Sequence, residues 1–330
     1  MLTLGIETSC DETSVALVNK RKILAQATFS SVRFYRPYGG IIPEIASRKQ
    51  FKFISLIFRR ALKDSGCRSS DIKAVAVTQG PGLIGSLMVG VQFAQGISLA
   101  LKIPLIGIDH LKAHLFAAFL NRKEKIFSPF IGLVASGGHT NIYLVYDFDK
   151  MELLGETLDD ACGEALDKVG RFYGLDYPAA VYIDKLFSLK FVDRGMFKIK
   201  KRQDFNFSFS GIKTAAVYKK TQEQGQPSFQ KIVLSSFQYA IVENLILLLQ
   251  KATETFKIKN VVCGGGVLAN RFLRRRLQQE AAKREWRVLI PPRELCSDNA
   301  AGVAGLGEYL GKKRGFNLGE IEPYSVSKRD

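Results

Sequence analysis

The chain has 330 residues, 46% of them hydrophobic, and its 48 Lys and Arg against 31 Asp and Glu give a net charge of +17. This length favours two domains over a single core. We expect no apolar run of the ~18 residues that a membrane span needs and no signal peptide, and therefore a cytoplasmic protein. The five cysteines are scattered, which favours reduced thiols. The excess of positive charge favours a polyanionic partner such as RNA or DNA.

The first predicted element is a hairpin. Residues 2–6 and 14–18 are strand-like, and the polar turn between them carries Asp11 and Glu12. The amides and hydroxyls of this turn could hold a phosphate or a phosphate-bound metal. An ordinary acidic hairpin turn explains the same residues, so both interpretations stay open.

A helix is predicted at about residues 49–63, followed by a buried strand at 73–78, a glycine turn at 79–86 and an apolar helix to about residue 101. The short strand 103–108 then passes into a helix that carries His110 and His114. Four residues of spacing place both imidazoles on one helix face, as a single metal ion requires. Two structural histidines that happen to share a face are the alternative.

The second half of the chain repeats this order. Strands at 130–135 and 140–146 flank the turn 136–139, and the strand 260–263 leads through glycines 264–266 into a basic helix from residue 271. This repetition predicts a duplicated α/β fold whose halves face a cleft. We expect residues 1–118 with about 303–330 to form the N-terminal lobe. Residues 119–302 then form the C-terminal lobe, with an insertion at about 156–228.

Acidic residues mark the insertion. Residues 157–168 look helical, which would place Asp160, Glu164 and Asp167 on one face. They could bind ribose hydroxyls or an amine, or form a solvated face paired with neighbouring Lys168 and Arg171. Residues 205–214 are predicted to be strand-like and to end in a turn, with their phenylalanines in the core.

The last predicted elements are a strand at 286–292 and a helix rich in small residues that opens at about residue 296. Asp298 lies at the start of this helix. It could cap the helix, and it is also the best candidate for the third ligand of a metal held by the two histidines.

Six motifs, taken in order, resemble the TsaD family of tRNA threonylcarbamoyladenosine transferases. They are residues 6–13 (IETSCDET), the pair His110 and His114, residues 136–140 (SGGHT), 209–214 (FSGIKT), 264–267 (GGGV) and 297–301 (SDNAA). The match extends over essentially the whole chain. Residues 159–165 resemble the bacterial branch of the family more than the archaeal one.

The resemblance implies the duplicated fold of actin-like ATPases (the ASKHA, ribonuclease H-like fold). It also implies one Fe(II), or Zn(II), held by His110, His114 and Asp298, a ligand set that leaves coordination positions open. The nucleotide-side contacts that it implies are Leu133, Val134, Ala135, Ser136, Gly137, Gly138, His139, Asp167, Ala180, Asp184 and Asn270.

The implied reaction transfers a threonylcarbamoyl group from threonylcarbamoyl-AMP to N6 of adenosine 37 in tRNAs that read ANN codons, forming t6A. Implied partners are tRNA, the inactive paralogue TsaB on the N-terminal lobe, the ATPase TsaE and a separate synthase that supplies the adenylate. Mg²⁺ could accompany ATP. No base is obvious, and Asp11 or Glu12 is our hypothesis for that role.

Two departures from the family pattern stand out. Ala179 and Ala180 follow Pro178 where the family usually has two glycines, so their methyl groups could crowd the ribose. Gln50 stands where a histidine is common, which puts a proton-transfer role there in doubt.

Two other functions would explain part of the sequence. A small-molecule kinase or ATPase of the same fold would use the glycine turns equally well, but it would have no need for His110 or for a basic surface. A metalloprotease would need a glutamate beside the first histidine, where this chain has Leu111.

Overall fold

The computed structural model describes residues 1–35, 38–199, 202–221, 227–315 and 321–326. The chain divides into two compact units. Unit 1 comprises Met1–Ile126 and Pro291–Asp330, and unit 2 comprises Phe127–Ile290. The predicted lobe boundaries were residues 118 and 303. The observed division instead assigns residues 291–302, and with them Asp298, to the unit that contains both histidines of the predicted metal site.

Unit 1 is built on a five-stranded sheet in the order β3-β2-β1-β4-β5. Its strands are β1 (Leu2–Glu7), β2 (Glu12–Asn19), β3 (Lys22–Ser30), β4 (Ala74–Gly80) and β5 (Leu105–Asp109). The hairpin strands are antiparallel, whereas β4 and β5 run parallel to β1. The helices are α1 (Val32–Tyr35), α2 (Pro43–Ser65), α3 (Ile84–Leu101), α4 (His110–Phe116) and α10 (Ala300–Arg314).

Unit 2 repeats this arrangement with the sheet order β10-β9-β6-β7-β8. Its strands are β6 (Phe130–Ala135), β7 (Thr140–Asp147), β8 (Lys150–Glu156), β9 (Asn260–Gly264) and β10 (Arg287–Leu289). Its helices are α5 (Cys162–Phe172), α6 (Ala179–Leu186), α7 (Ser210–Thr221), α8 (Pro227–Phe256) and α9 (Arg271–Arg284). Both sheets therefore have the same strand order and directions, which confirms the predicted duplication.

The core of unit 1 lies between the sheet and its helices. The central strands are almost wholly buried, as parallel strands covered on both faces should be. Close approach of α10 to the sheet depends on glycine: a Cβ on Gly5 would lie 2.8 Å from the Ala304 Cβ. Helix α10 also lies against α4, because a Cβ on Gly302 would be 2.6 Å from the Ala113 carbonyl oxygen. This packing brings the start of α10 to the metal-site helix.

Several predicted elements differ from the observed ones. Helix α2 begins at Pro43 rather than near residue 49, because proline suits the first turn of a helix. The predicted helix at 157–168 begins only at Cys162, so Asp160 precedes the helix. The strand predicted at 205–214 was wrong: Phe207 makes one isolated bridge to Thr157, and α7 begins at Ser210. The last strand is shorter than predicted.

The expectation about apolar runs was also wrong by one measure. Among the described residues, α3 and the Ser228–Phe256 part of α8 are long and apolar enough to cross a membrane by length and composition. Most of that part of α8 is buried, as in a core helix, whereas only a third of α3 is buried.

Candidate metal centre and the surrounding site

The two predicted metal-site histidines lie on α4, directly after β5. Asp109 caps this helix, because its Oδ1 accepts a hydrogen bond from the Lys112 amide at 2.9 Å. His110 and His114 are buried and one turn apart, with their ring centroids separated by 4.5 Å. The sequence prediction of a strand passing into a histidine-bearing helix is confirmed.

Asp298 meets these histidines from the loop before α10. Its Oδ1 lies 3.3 Å from Nε2 of His114 and 3.6 Å from Nε2 of His110. The alternative role of helix cap belongs instead to Asn299, whose side chain accepts from the Gly302 amide at 2.9 Å. The cap is therefore one residue later than expected.

These three side chains fit a divalent metal ion. One ligand atom from each lies within 4.8 Å of the other two. Nε2 of His114 is buried and makes no hydrogen bond within the part of the chain that the structure describes, so an ion would satisfy it. Two imidazole nitrogens and one carboxylate oxygen suit Zn²⁺ or Fe²⁺.

Glu7 orients the first histidine, a role that the sequence did not suggest. Its Oε2 lies 3.0 Å from Nδ1 of His110 and accepts from the Thr78 hydroxyl at 2.5 Å, while Oε1 accepts from the Ser9 amide at 2.5 Å. With Nδ1 facing Glu7, Nε2 of His110 is left for the ion, an arrangement common around metal-binding histidines.

Burial and neighbouring charges shift the pKa values of His110 and Glu7 in opposite directions. Burial lowers the pKa of His110, but the negative charges of Glu7 and Asp298 outweigh it and raise the pKa from 6.5 to about 9. Burial likewise raises the pKa of Glu7, and the attraction of His110 outweighs it and lowers that pKa. In the metal-free protein these groups therefore form a buried ion pair.

The turn that carries Asp11 and Glu12 belongs to the same site. Ligand atoms of Cys10, Asp11 and Asp298 lie within 4.8 Å of one another. Burial raises the pKa of Asp11, and burial together with the charge of Asp11 raises the pKa of Glu12 well above its usual range. Two neighbouring carboxyl groups with raised pKa values suit proton transfer.

Gln50 forms hydrogen bonds to the backbone of this turn. Its buried side-chain amide donates to the Cys10 carbonyl at 3.0 Å and the Glu12 carbonyl at 3.1 Å, with a longer contact of 3.4 Å to the Thr8 carbonyl. Glutamine at this position therefore supplies a donor to the backbone of the acidic turn.

In unit 2, three segments come together around the predicted SGG turn. Ser136 accepts from the Gly163 amide at 3.2 Å at the start of α5, and a Cβ on Gly265 would lie 2.7 Å from the carbonyl carbon of Ala135. Gly137 and Gly138 are exposed, and His139 is half-buried. Leu133, Val134 and Ala135 lie inside β6 and are fully buried.

The other predicted nucleotide-side residues already have protein partners. Asp167 accepts from the Ala180 amide at 2.8 Å, and Asp184 accepts from the Arg271 amide at 3.1 Å and from its Nε at 3.0 Å. Asn270 caps α9. These interactions link α5, α6 and α9 in one cluster.

The substituted alanine and the remaining acidic residues of the insertion have local explanations. The methyl group of Ala179 is fully buried and packs against Gly170 of α5. The contact is so close that a Cβ on Gly170 would lie only 2.6 Å from this methyl group. Asp160 pairs with Lys168 at 2.7 Å and with Lys213, and Glu164 pairs with Lys168 at 2.8 Å. Both carboxylates therefore have lysine partners, and Lys168 is the partner that the paired-face interpretation predicted.

Comparison with known proteins gives the relationship. The family model "TsaD: tRNA N6-adenosine threonylcarbamoyltransferase" matches residues 22–305. The enzyme of that name from Thermosipho africanus is 43% identical over 95% of both chains. The enzyme of that name from Bacillus subtilis is 41% identical, over 93% of this chain and 90% of its own.

The solved structure of full-length HypF has a TM-score of 0.65 at 14% identity, over 96% of this chain and 47% of that chain. Component A of (R)-2-hydroxyglutaryl-CoA dehydratase from Acidaminococcus fermentans has a TM-score of 0.53 at 14% identity, over 93% of this chain and 97% of that chain. These structures confirm the actin-like fold.

Proposed function

This chain belongs to the TsaD family of tRNA N6-adenosine threonylcarbamoyltransferases, and on that premise we propose that it transfers the threonylcarbamoyl group from threonylcarbamoyl-AMP to N6 of adenosine 37 in tRNAs that read ANN codons. The observation that carries the proposal is the convergence of His110, His114 and Asp298 in a chain of this family. A kinase of the same fold would have no use for this ligand set.

The side chains divide the chemistry between them. His110, His114 and Asp298 would hold one metal ion, which when bound supplies a Lewis acid for the charge that develops during transfer. Asp11 or Glu12 would accept the proton that the adenine amine loses, since burial raises the pKa of both carboxyl groups and so makes their carboxylates stronger bases. On the nucleotide side, the amides of Gly137 and Gly138 would bind phosphate. The Ser136 amide, which was expected to join them, already donates to the His139 carbonyl at 2.8 Å.

The proposed reaction is tested by nucleoside mass spectrometry of unmodified tRNA. The incubation contains this protein, TsaB, TsaE, the synthase, threonine, bicarbonate and ATP. We expect threonylcarbamoyladenosine with the wild type and none with His110→Ala. Phosphorylation of a small molecule that needs neither tRNA nor His110 would favour the kinase or ATPase alternative instead.

We propose that tRNA contacts a basic and aromatic patch beside the acidic turn, formed by Arg33, Phe34, Tyr38, Lys49 and Lys52. Lys49 Nζ lies 4.1 Å and Arg33 Cζ 4.8 Å from the Phe34 ring centroid, and Tyr38 is 69% exposed. Such cations neutralise phosphates, and exposed rings can stack on unpaired bases.

The position of this patch supports the proposal. The Ser31 amide, just before α1, donates to the Asp11 carbonyl at 2.9 Å, and Gln50 of α2 contacts the same turn. RNA bound on the patch would therefore lie next to the candidate base. Arg36, which lies between Phe34 and Tyr38 in sequence, is outside the described residues.

Replacing Arg33, Lys49 and Lys52 together with alanine should weaken tRNA binding and flatten its salt dependence. Each lost phosphate contact lowers the slope of log K against log salt by about 0.9, so we expect a change of about 2–3. Filter binding at several salt concentrations measures the slope. The charge-matched control replaces Lys150, Lys257 and Lys283, and an equal change in this control would refute a specific patch.

We propose that the partner TsaB binds the exposed apolar face of α2 and α3, formed by Leu56, Ile84, Met88 and Leu99. These side chains are 59%, 48%, 50% and 78% exposed. The two helices pack against each other, and the three α3 residues share one helix face. An exposed apolar surface on paired helices is typical of a protein interface.

Met88→Asp should weaken the complex with TsaB by at least about 30-fold, because it places a charge in a desolvated interface. Titration calorimetry gives the affinity. The matched control is Tyr218→Asp, which changes an exposed apolar side chain in unit 2. Unchanged affinity in Met88→Asp would move the interface elsewhere.

The remaining proposals follow from the family. We propose Fe²⁺ as the bound metal, with Zn²⁺ as the alternative, and Mg²⁺ alongside ATP. The ATPase TsaE and a separate adenylate synthase would complete the pathway. A substrate such as tRNA favours the cytoplasm.

A further inference from the structure

A short strap of chain beyond the family match crosses the end of the sheet in unit 1. The strap comprises residues 321–326. The Tyr324 amide donates to the Gln79 carbonyl at the end of β4 at 2.9 Å, and Ile321 packs on the core of the sheet. The strap therefore lies across the carboxyl ends of the parallel strands, where the metal-site helix begins.

Two glycines make room for the strap. Gly80 ends β4 with a φ of +152°, and a Cβ there would lie 2.6 Å from Cδ2 of the Tyr324 ring. Gly107 is in β5, and a Cβ there would lie 3.2 Å from Ile321 Cγ2 and would also clash with Gln79. Side chains at either position would displace the strap or the strand.

The hydroxyl of Tyr324 reaches the metal-site helix through Asp109. It donates to Oδ2 of Asp109 at 2.9 Å, while Oδ1 of the same carboxylate accepts from the Lys112 amide at 2.9 Å. Both oxygens of the residue that caps α4 are thus held, one by the helix and one by the strap. The next residue is His110.

We propose that Tyr324 is a positioning residue for the metal centre: by fixing Asp109 it holds α4, and with it both histidines, at the distance from Asp298 that a metal ion requires. Metal ligands tolerate displacements of only about 0.5 Å, and loss of an outer partner commonly weakens metal binding by about 10–100-fold. The strap is therefore part of the metal site although it contributes no ligand.

Tyr324→Phe tests this inference, because it keeps the ring against Gly80 and the backbone bond to Gln79 but removes the hydroxyl. Chelator competition gives the dissociation constants of Zn²⁺ and Co²⁺ for the full chain. We expect both to rise by about tenfold and the visible absorption of the Co²⁺ form to change as its ligand geometry loosens. Tyr146→Phe, in unit 2, is the matched control and should leave both unchanged.

The same measurement in an Asp109→Ala background separates positioning from general destabilisation. If Tyr324 acts through Asp109, its replacement adds less than about a twofold loss once Asp109 is gone. A full additional loss there, or Zn²⁺ and Co²⁺ affinities of Tyr324→Phe equal to those of the wild type, would overturn the proposal. The readout is metal affinity, so the result stands apart from the outcome of the transferase assay.

Discussion

Replacing Asp298 with alanine should leave a folded protein that no longer retains one metal ion per chain and no longer forms threonylcarbamoyladenosine at a useful rate. The carboxylate approaches both imidazole Nε2 atoms, at 3.3 and 3.6 Å, and is the acidic member of the ligand set. Loss of an outer partner of a ligand can weaken metal binding by about 100-fold. We expect loss of the ligand itself to raise the metal dissociation constant by more than that. The transfer rate should fall at least in proportion.

Metal content by elemental analysis and t6A by nucleoside mass spectrometry check this result. Asp64→Ala is the control, since that residue is an exposed aspartate on α2 whose pairing with Arg60 at 3.5 Å is remote from the site. Full metal retention and full activity in Asp298→Ala would mean that the three side chains are not the metal site.

Replacing Glu7 with glutamine should change how metal affinity depends on pH. His110 must release a proton to bind a metal through Nε2, and its pKa of about 9 means that affinity of the wild type falls about tenfold for each pH unit below 9. The neutral amide removes the charge that raises the pKa of His110 most. The variant also loses the charged partner that orients His110, so we expect it to bind metal about 10–100-fold more weakly above pH 9, where His110 is deprotonated in both proteins.

The effect of the substitution becomes smaller toward lower pH. His110 of the variant has a lower pKa and is already neutral there, so the difference from the wild type should shrink between pH 9 and pH 7. Chelator competition at several pH values measures both curves. Glu44→Gln, an exposed change on α2, should reproduce the wild-type curve, and parallel curves for Glu7→Gln and the wild type would refute the pairing.

The repeated local patterns made the fold predictable. Residues 130–135 were predicted as a strand and form β6, and the helix predicted from residue 271 begins there. Patterns of alternation, glycine turns and histidine spacing are local, so one sequence suffices to detect them. The same locality explains why the metal triad could be proposed, since the two histidines share one short helix and Asp298 lies just before the start of another.

The failures depend on contacts between distant residues. Glu7 is separated from His110 by most of unit 1, and only the pairing of β1 with β4 and of β4 with β5 brings them together. Asp159 accepts from the Phe209 and Ser210 amides, which favours a helix start at Ser210 over the alternating strand pattern. Tertiary hydrogen bonds of this kind override local propensity and leave no periodic signal.

The division of unit 1 into two separate segments sets the order in which the protein can mature during synthesis. His110 and His114 leave the ribosome before unit 2 is made, whereas Asp298 and α10, which packs on the central strands, emerge after all of it. At roughly 5–20 residues per second, this delay is on the order of ten seconds. During this interval His110 and His114 are already synthesised, but Asp298 is not. The three side chains of the candidate metal centre are consequently brought together only when the last tenth of the chain packs against the first sheet.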